Sequence, residues 1–395
     1  MADKTNANIG FEKQLWDAAC VLWGHIPAAE YRKVIIGLIF LRYISAAFDK
    51  RYQELVAEGD GFEDDRDAYT MENVFFVPEE ARWSTIASAA HTPEIGTVID
   101  TAMRAIEAEN KTLKNVLPKN YASPDLDKRV LGDVVDIFTN NIDMSNTTES
   151  EDLLGRTYEY CIAQFAEKEG VGGGEFYTPS SVVKTLVSIL RPFDNCRVYD
   201  CCCGSGGMFV QTAHYIEKHK AQGKQMNLGA YGVEKTGATV RLAKMNLVLN
   251  NVRGTITHAN SYYRDPYDSF GNFDYVMANP PFNVDGVELD QVKDQPRFNT
   301  YGVPQNKTKN KKKDAKETVP NGNYLWINQF ATALNDTGRA ALVMANSASD
   351  AGNSEKDIRV KLIENGIISQ MVTLPSNMFT SVTLPATLWF FDKAK

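Results

Sequence analysis

The turn formed by Asn279, Pro280, Pro281 and Phe282 carries the most specific chemistry in this sequence. It follows the apolar run 274–278, which predicts a strand, and consecutive prolines make the turn rigid because they fix φ and lack N–H groups. The Asn279 side-chain oxygen and the Pro280 carbonyl can then both accept hydrogen bonds from one planar amine. Phe282 offers a ring face for stacking a flat heterocycle, worth about 1–3 kcal/mol. The competing interpretation is a strand that ends in a purely structural turn.

A glycine-rich loop lies upstream and contains Asp200, Gly204, Ser205 and Gly206. Glycines let the backbone turn tightly and approach a ligand closely. Asp200 can accept hydrogen bonds from a cationic or hydroxyl group at the same place. The loop alone is also typical of a generic strand-to-helix turn. The full dinucleotide-binding fingerprint fails, because Phe209 stands where its third glycine belongs.

Two further segments complete the candidate site. Glu234 ends the next predicted strand, where a carboxylate can bind both hydroxyls of a ribose, although carboxylates are also common in surface loops. Another segment precedes the helix predicted over 181–190. It contains Glu175, Phe176, Tyr177, Thr178, Pro179 and Ser180. Thr178 or Ser180 can cap that helix, and aromatic residues at a helix start can line a cofactor pocket.

Taken in chain order, these segments resemble the N6-adenine DNA methyltransferases of the gamma arrangement, specifically the modification subunit of type I restriction–modification systems. Residues 200–208 resemble that family's Asp-Pro-x-Cys-Gly-Ser-Gly-Gly motif, and residues 279–282 match its catalytic Asn-Pro-Pro-Phe. The resemblance extends over essentially the whole chain, including 176–179, 338–340, 374–379 and the N-terminal segments 15–16 and 40–44. It implies a site-specific, adenine-specific DNA methyltransferase that uses S-adenosyl-L-methionine.

The resemblance also implies roles and partners. Asn279, Pro280, Pro281 and Phe282 become catalytic residues that hold an adenine flipped out of double-stranded DNA. The cofactor-binding set is Glu175, Phe176, Tyr177, Thr178, Pro179, Ser180, Asp200, Gly204, Ser205, Gly206, Glu234 and Asn260. The expected partners are a DNA-specificity subunit and a restriction subunit, with two copies of this chain per complex in the cytoplasm.

Two positions depart from the family pattern. Cys201 replaces the usual proline after the motif aspartate, which predicts a looser turn without the loss of a ligand atom. Asn260 stands where the family has an aspartate that accepts a hydrogen bond from the cofactor's adenine amine. Asparagine keeps an acceptor oxygen but loses the charge, so we expect weaker cofactor binding than is typical.

The surrounding pattern predicts two domains. Residues 1–147 have helical periodicity and predict an all-α N-terminal domain, and 148–395 form the catalytic domain. There, apolar runs at 197–200, 230–234, 255–259, 275–279, 340–344, 367–374 and 387–391 alternate with helices such as 181–190 and 236–249. This alternation predicts an α/β fold with a doubly wound, mostly parallel, seven-stranded Rossmann-like methyltransferase sheet, whose ligands bind at the strands' carboxyl ends.

Composition limits the other possibilities. A net charge of −8 argues against strong binding of nucleic acid by the chain alone. The six cysteines lack metal-site spacing, so we expect reduced, half-buried thiols and no metal. The longest apolar stretch is too short to cross a membrane. The lysine-rich segment 307–316 fits either a solvated loop or a DNA-contacting loop.

Three other functions stay open at this point. A stand-alone adenine methyltransferase would need a target-recognition domain, yet most residues after Phe282 are required to complete the sheet. A protein glutamine methyltransferase would have Tyr at position 282 and a smaller N-terminal domain. A catalytically silent scaffold in a DNA complex is disfavoured by the intact Asn-Pro-Pro-Phe motif.

Overall fold

The computed structural model describes residues 20, 28–140, 178–220, 227–306, 317–376, 378 and 385–394. The chain divides into two compact units, one of residues 1–170 with 248–251 and the other of residues 171–247 with 252–395. The domain boundary predicted after residue 147 lies outside the described residues. No helix among the described residues is both long and apolar enough to cross a membrane.

The described part of the N-terminal unit is helical, as the sequence predicts. Its helices are α1 (Ala28–Glu58), α2 (Arg66–Thr70), α3 (Trp83–Ser88), α4 (Ile95–Glu109) and α5 (Lys128–Asn140). Buried polar groups connect them to the intervening loops. The buried Asp100 of α4 accepts hydrogen bonds from the N–H groups of Tyr121 at 3.0 Å and Ala122 at 3.1 Å. The Tyr121 hydroxyl in turn donates to the Val34 carbonyl of α1 at 2.9 Å.

The second unit is built on the predicted seven-stranded sheet. Its strands are β1 (Arg197–Asp200), β2 (Gly229–Glu234), β3 (Gly254–His258), β4 (Phe273–Ala278), β5 (Leu334–Ala345), β6 (Ile368–Thr373) and β7 (Ala386–Asp392). The strand order is β3-β2-β1-β4-β5-β7-β6. Strands β1 to β5 pair in parallel, whereas β7 is antiparallel to β5 and β6. The expected mostly parallel, doubly wound methyltransferase fold is therefore confirmed.

Helices cover this sheet and connect its strands. They are α6 (Ser180–Leu190), α7 (Gly207–His219), α8 (Gly237–Leu249), α9 (Leu289–Val292), α10 (Pro296–Asn299), α11 (Asn323–Ala333) and α12 (Asn353–Glu364). The described sheet residues pack into two apolar cores. One core includes α6 and α7, and the other includes α11 and α12.

Strand β5 begins at Leu334 and not at Ala340, where the sequence predicts it. The early part contains polar residues, and its pairing with β4 jumps from Phe273↔Leu334 to Tyr275↔Arg339. Gly338 makes this irregular pairing possible, because a Cβ there would lie 2.8 Å from the Phe273 carbonyl oxygen. The sequence does not indicate the part of β5 before Ala340, because polar residues interrupt the apolar pattern from which the strand is predicted.

Strand β2 packs too closely for a side chain at Gly232. A Cβ at this position would lie 2.5 Å from Cδ1 of Ile256 and 2.8 Å from Sγ of Cys203. Ile256 lies on β3, and Cys203 belongs to the loop after β1. The small residue therefore lets the neighbouring strand and this loop approach β2.

We predict that Gly232→Ala lowers the free energy of unfolding by about 1–3 kcal/mol, because its methyl group overpacks this contact. Gly237→Ala is the matched control: it lies in α8, and its Cβ would be 3.6 Å from the nearest atom. That variant should be neutral or slightly stabilising, because Ala has a higher helix propensity than Gly. Urea unfolding curves of both variants test this. Equal stability of the two variants would contradict the packing argument.

Candidate active site

The loop after β1 places Asp200 and two glycines at the carboxyl end of the sheet. Asp200 is 2% exposed, and its Oδ1 accepts a hydrogen bond from the Cys202 N–H at 3.0 Å. Gly204 and Gly206 have φ values of +50° and +80°, which glycine adopts without strain. A Cβ at Gly204 would meet no described atom within 4 Å. A ligand can therefore approach the backbone of the loop closely at this point.

The Glu234 carboxylate connects the ends of β1 and β2. Its Oε2 accepts from the Gly204 N–H at 3.2 Å, and its Oε1 accepts from the Thr236 N–H at 2.7 Å. Glu234 is 9% exposed. Each carboxylate oxygen can accept more than one hydrogen bond, and a hydroxyl group is a suitable donor. The Glu234 carboxylate thus holds the glycine loop against the end of β2.

Burial gives this region unusual acid–base properties. It raises the pKa of Asp200 to about 8; the nearby Glu234 charge also raises it, whereas the Cys202 N–H opposes the shift. Burial likewise raises the pKa of the Cys202 and Cys203 thiols well above the ordinary value. The described cysteines are all free, and Cys196, Cys201 and Cys203 are buried where the sequence predicts half-buried thiols. The described residues contain no cluster of potential metal ligands. A cationic ligand beside Asp200 would favour its ionised form.

A second loop, which follows β3, carries Asn260. Its Oδ1 accepts from the Tyr262 N–H at 3.1 Å, and the neighbouring Ser261 hydroxyl donates to the Cys201 carbonyl. The buried Arg297 holds this loop by donating to the carbonyls of Ser261 at 2.5 Å and Tyr262 at 3.1 Å. The sequence does not indicate this role of Arg297, because a single arginine in a short polar helix gives no local signal of burial.

Asn279 lies at the carboxyl end of β4. Its Nδ2 donates to the Thr178 hydroxyl at 2.9 Å. Its Oδ1 is buried and has no hydrogen-bond partner among the described residues. Leaving such an acceptor unpaired costs about 1–3 kcal/mol. The arrangement is that of an anchored amide whose oxygen is available to a donor that enters the site.

The turn that bears Phe282 is held by an asparagine pair. Asn283, with φ of +53°, donates its N–H to Oδ1 of Asn323 at 2.8 Å. Asn323 returns a hydrogen bond from its Nδ2 to Oδ1 of Asn283, also at 2.8 Å, and is 2% exposed. Asn323 is not among the predicted site residues, although its position directly after a glycine, at the start of an apolar helix, is a signal in the sequence that could have indicated it.

The structure brings many of the predicted residues to the same edge of the sheet. Asp200, Gly204, Ser205, Gly206, Glu234, Asn260, Asn279, Pro280, Pro281 and Phe282 all lie in or next to loops at the carboxyl ends of β1 to β4. Glu175, Phe176, Tyr177, the side chain of Ser180 and the segment 307–316 lie outside the described residues.

Of the two caps that the sequence suggests for α6, Thr178 does not occupy the N-cap position, and the side chain of Ser180 lies outside the described residues. The N-cap is Pro179, whose side chain makes no capping hydrogen bond. The Thr178 hydroxyl instead accepts from Asn279, 101 positions away in the chain. Local sequence could not indicate this partner, because it is brought near only by the fold.

Comparison with known proteins identifies similar chains. Residues 149–395 match the family model of the N-6 DNA methylases, and residues 11–138 match that of the HsdM N-terminal domain. The type I restriction enzyme MjaIX methylase subunit of Methanocaldococcus jannaschii is 36% identical, over 98% of this chain and 70% of its own length. The HindI methylase subunit of Haemophilus influenzae is 32% identical, over 81% of this chain and 73% of its own length.

A solved structure agrees at the level of the fold. The methyltransferase subunit of a type I restriction–modification system from Streptococcus thermophilus superposes with a TM-score of 0.76 at 23% identity, and the match covers 98% of this chain and 85% of that one.

The raised pKa of Asp200 makes stability depend on pH. The folded state holds a proton on Asp200 up to about pH 8, whereas the unfolded state releases it near 3.8. Between these values the folded state binds more protons, so the free energy of unfolding falls as pH rises. We predict that Asp200→Asn removes this contribution, so its stability relative to the parent increases from pH 5 to pH 8.

Urea unfolding at intervals of pH measures this difference. The exposed Asp357→Asn is the matched control and should follow the parent at each pH. A constant difference between Asp200→Asn and the parent would rule out titration of Asp200 in this range.

Proposed function

We propose how the residues of this chain act, from the premise that it belongs to the N-6 DNA methylase family. Within that family it is a methylase subunit of the type I restriction–modification kind, which is an adenine-specific DNA methyltransferase. We propose that Asn279, Pro280, Pro281 and Phe282 bind the target adenine and that the loops after β1, β2 and β3 bind S-adenosyl-L-methionine. The observation that carries the proposal is the buried Oδ1 of Asn279, which has no hydrogen-bond partner in the described part of the chain while the Nδ2 of the same amide is anchored.

The residues present fit the cofactor. The open space over Gly204 gives a ligand access to the backbone, and Glu234 offers a carboxylate for ribose hydroxyls. Asp200 supplies a buried carboxyl group for the cationic part of the ligand, and Asn260 supplies an amide for its adenine. When bound, S-adenosyl-L-methionine supplies a methyl group that is electrophilic because its sulfur carries a positive charge.

The catalytic residues act on the target amine. The adenine amine is planar and conjugated, so its lone pair is withdrawn into the ring. Asn279 Oδ1 and the Pro280 carbonyl accept hydrogen bonds from its two N–H groups, which orient the amine and favour a lone pair directed out of the ring plane. Phe282 stacks on the base after it has left the duplex. Holding the two reactants in an aligned geometry supplies much of the rate enhancement.

The proton balance requires no dedicated base. Transfer would join the methyl carbon to the amine nitrogen, and the electron pair of the methyl–sulfur bond would leave with sulfur. The nitrogen becomes cationic and therefore acidic enough to lose a proton to water. This agrees with the residues around Asn279, where both the Thr178 hydroxyl and the side-chain amide are neutral hydrogen-bonding groups.

The chain's partners follow from its family and charge. We propose that it methylates double-stranded DNA in the cytoplasm within a complex that contains a DNA-specificity subunit, two copies of this chain and, for restriction, a restriction subunit. The net charge of −8 supports this, because DNA affinity of a chain with excess acidic residues depends on local basic patches or on a partner.

We predict that Asn279→Ala abolishes methyl transfer and leaves the affinity for S-adenosyl-L-methionine nearly unchanged, because its oxygen contacts the target and not the cofactor. A tritium-transfer assay and isothermal titration calorimetry measure the two properties on the chain co-expressed with its specificity subunit. The exposed Asn365→Ala is the control and should behave as the parent. Transfer by Asn279→Ala within tenfold of the parent would overturn its catalytic role.

We also predict that Glu234→Gln weakens cofactor binding by about 1.5–3 kcal/mol, the usual range for hydrogen bonds to a charged group. The amide keeps one acceptor for the loop, so the variant removes the charge with little change in shape. The exposed Glu364→Gln controls for loss of a carboxylate elsewhere. An affinity equal to the parent's would exclude Glu234 from the cofactor site.

Asn260→Asp tests the departure from the family pattern. Aspartate restores the charged acceptor and can still accept from the Tyr262 N–H. Cofactor affinity, measured by the same calorimetry, should therefore stay equal or increase. A clear loss of affinity would show that the Asn260 side chain has another role, in which its amide donates.

A further inference from the structure

The Asn279 amide nitrogen donates a hydrogen bond to the Thr178 hydroxyl. The 2.9 Å hydrogen bond joins the segment before α6 to the end of β4. Thr178 is held in place because α6 is anchored: its buried Val182, Val183 and Leu186 pack in the same core as Met277 of β4. The two ends of this bond are therefore fixed by packing that is independent of the bond itself.

Among the described residues, we find no other role for the Thr178 hydroxyl. The N-cap of α6 is Pro179, so the Thr178 hydroxyl lies outside the position from which a side chain usually caps a helix. The Thr178 side chain is only partly buried, which would allow an unpaired hydroxyl to be solvated. Its pairing with Asn279 points to a role in the site.

An asparagine amide needs such a partner to present its oxygen. Rotation about the Cβ–Cγ bond of asparagine has broad minima, so the side chain alone does not fix the plane of the amide. With Nδ2 bonded to Thr178, the amide plane is set, and Oδ1 is buried without a hydrogen-bond partner among the residues that the structure describes. Donation from Nδ2 also polarises the amide and makes Oδ1 a better acceptor.

We propose that Thr178 is a positioning residue for methyl transfer: its hydroxyl fixes the Asn279 amide so that Oδ1 faces the target amine. This inference rests on the proposed function of Asn279. The Thr178 hydroxyl then orients a residue that binds the target adenine, whereas the family resemblance suggests that Thr178 binds the cofactor.

The test compares Thr178→Val, which removes the hydroxyl at constant volume, with Thr178→Ser, which keeps it. Thr185→Val is the matched control, because Thr185 lies on the exposed face of α6 and donates only to the Ser181 carbonyl. Asn279→Ala is measured beside them. Each variant is co-expressed with the specificity subunit, and single-turnover transfer to unmethylated genomic DNA is followed at saturating tritiated S-adenosyl-L-methionine. Calorimetry gives the cofactor affinity of each variant.

We expect Thr178→Val to slow transfer by about 10- to 100-fold, as fits the loss of one hydrogen bond that leaves a buried partner unpaired. Its cofactor affinity should stay within about twofold of the parent's, because the hydroxyl does not contact the cofactor. Thr178→Ser should transfer within about threefold of the parent, since it keeps the acceptor. Thr185→Val should equal the parent in both measurements.

Three results would overturn the inference. Weakened cofactor binding in Thr178→Val, restored in Thr178→Ser, would make Thr178 a cofactor ligand. Parental transfer by Thr178→Val beside an inactive Asn279→Ala would remove the positioning role and leave the proposed function intact. Parental transfer by Asn279→Ala would defeat the proposed function itself. If Thr178→Val does not fold, Thr178→Ala replaces it in the comparison with Thr178→Ser.

Discussion

The backbone pairing of β1 with β2 and β4 is the constraint from which the geometry of the site follows. Asp200 stands opposite Gly232, and Tyr199 stands opposite Val276, in parallel register. Because parallel neighbours run in the same direction, the loops that follow them leave from the same edge of the sheet. A shift of one residue would turn the side chains to the other face. The register therefore brings the glycine loop after β1, the Glu234 carboxylate at the end of β2 and the turn that begins at Asn279 to one edge of the sheet.

Buried hydrogen bonds then fix the loops relative to each other. Glu234 holds the glycine loop, Arg297 holds the loop of Asn260, and Asn323 holds the turn after Phe282. Burying such groups is unfavourable unless each is paired, so a loop that moved would leave a donor or acceptor without a partner. These contacts favour one arrangement of the site over alternatives. Asn279 Oδ1 is one of several buried polar atoms without a hydrogen-bond partner among the described residues, and we expect its partner to come from the substrate.

Electrostatics separates the two ligands of the enzyme. On the cofactor side of the site, burial and the Glu234 charge both raise the pKa of Asp200. A cationic cofactor would favour the ionised form of Asp200, whereas a phosphate backbone would disfavour it. The net charge of −8 acts in the same direction. These charges support the proposed division of labour, in which this chain supplies the chemistry and a partner supplies much of the DNA affinity.

The sequence by itself determined the class of fold, the seven strands, the helical N-terminal region and the motif residues at the strand ends. It could do so because apolar periodicity, glycine loops and the Asn-Pro-Pro-Phe turn are local patterns. Only the tertiary structure decided the early start of β5, the buried roles of Arg297 and Asn323, and the pairing of Thr178 with Asn279. A threonine before a helix has the same local pattern whether it caps that helix or bonds elsewhere. The difference lies in a partner far away in the chain, which backbone pairing and core packing bring within hydrogen-bond distance.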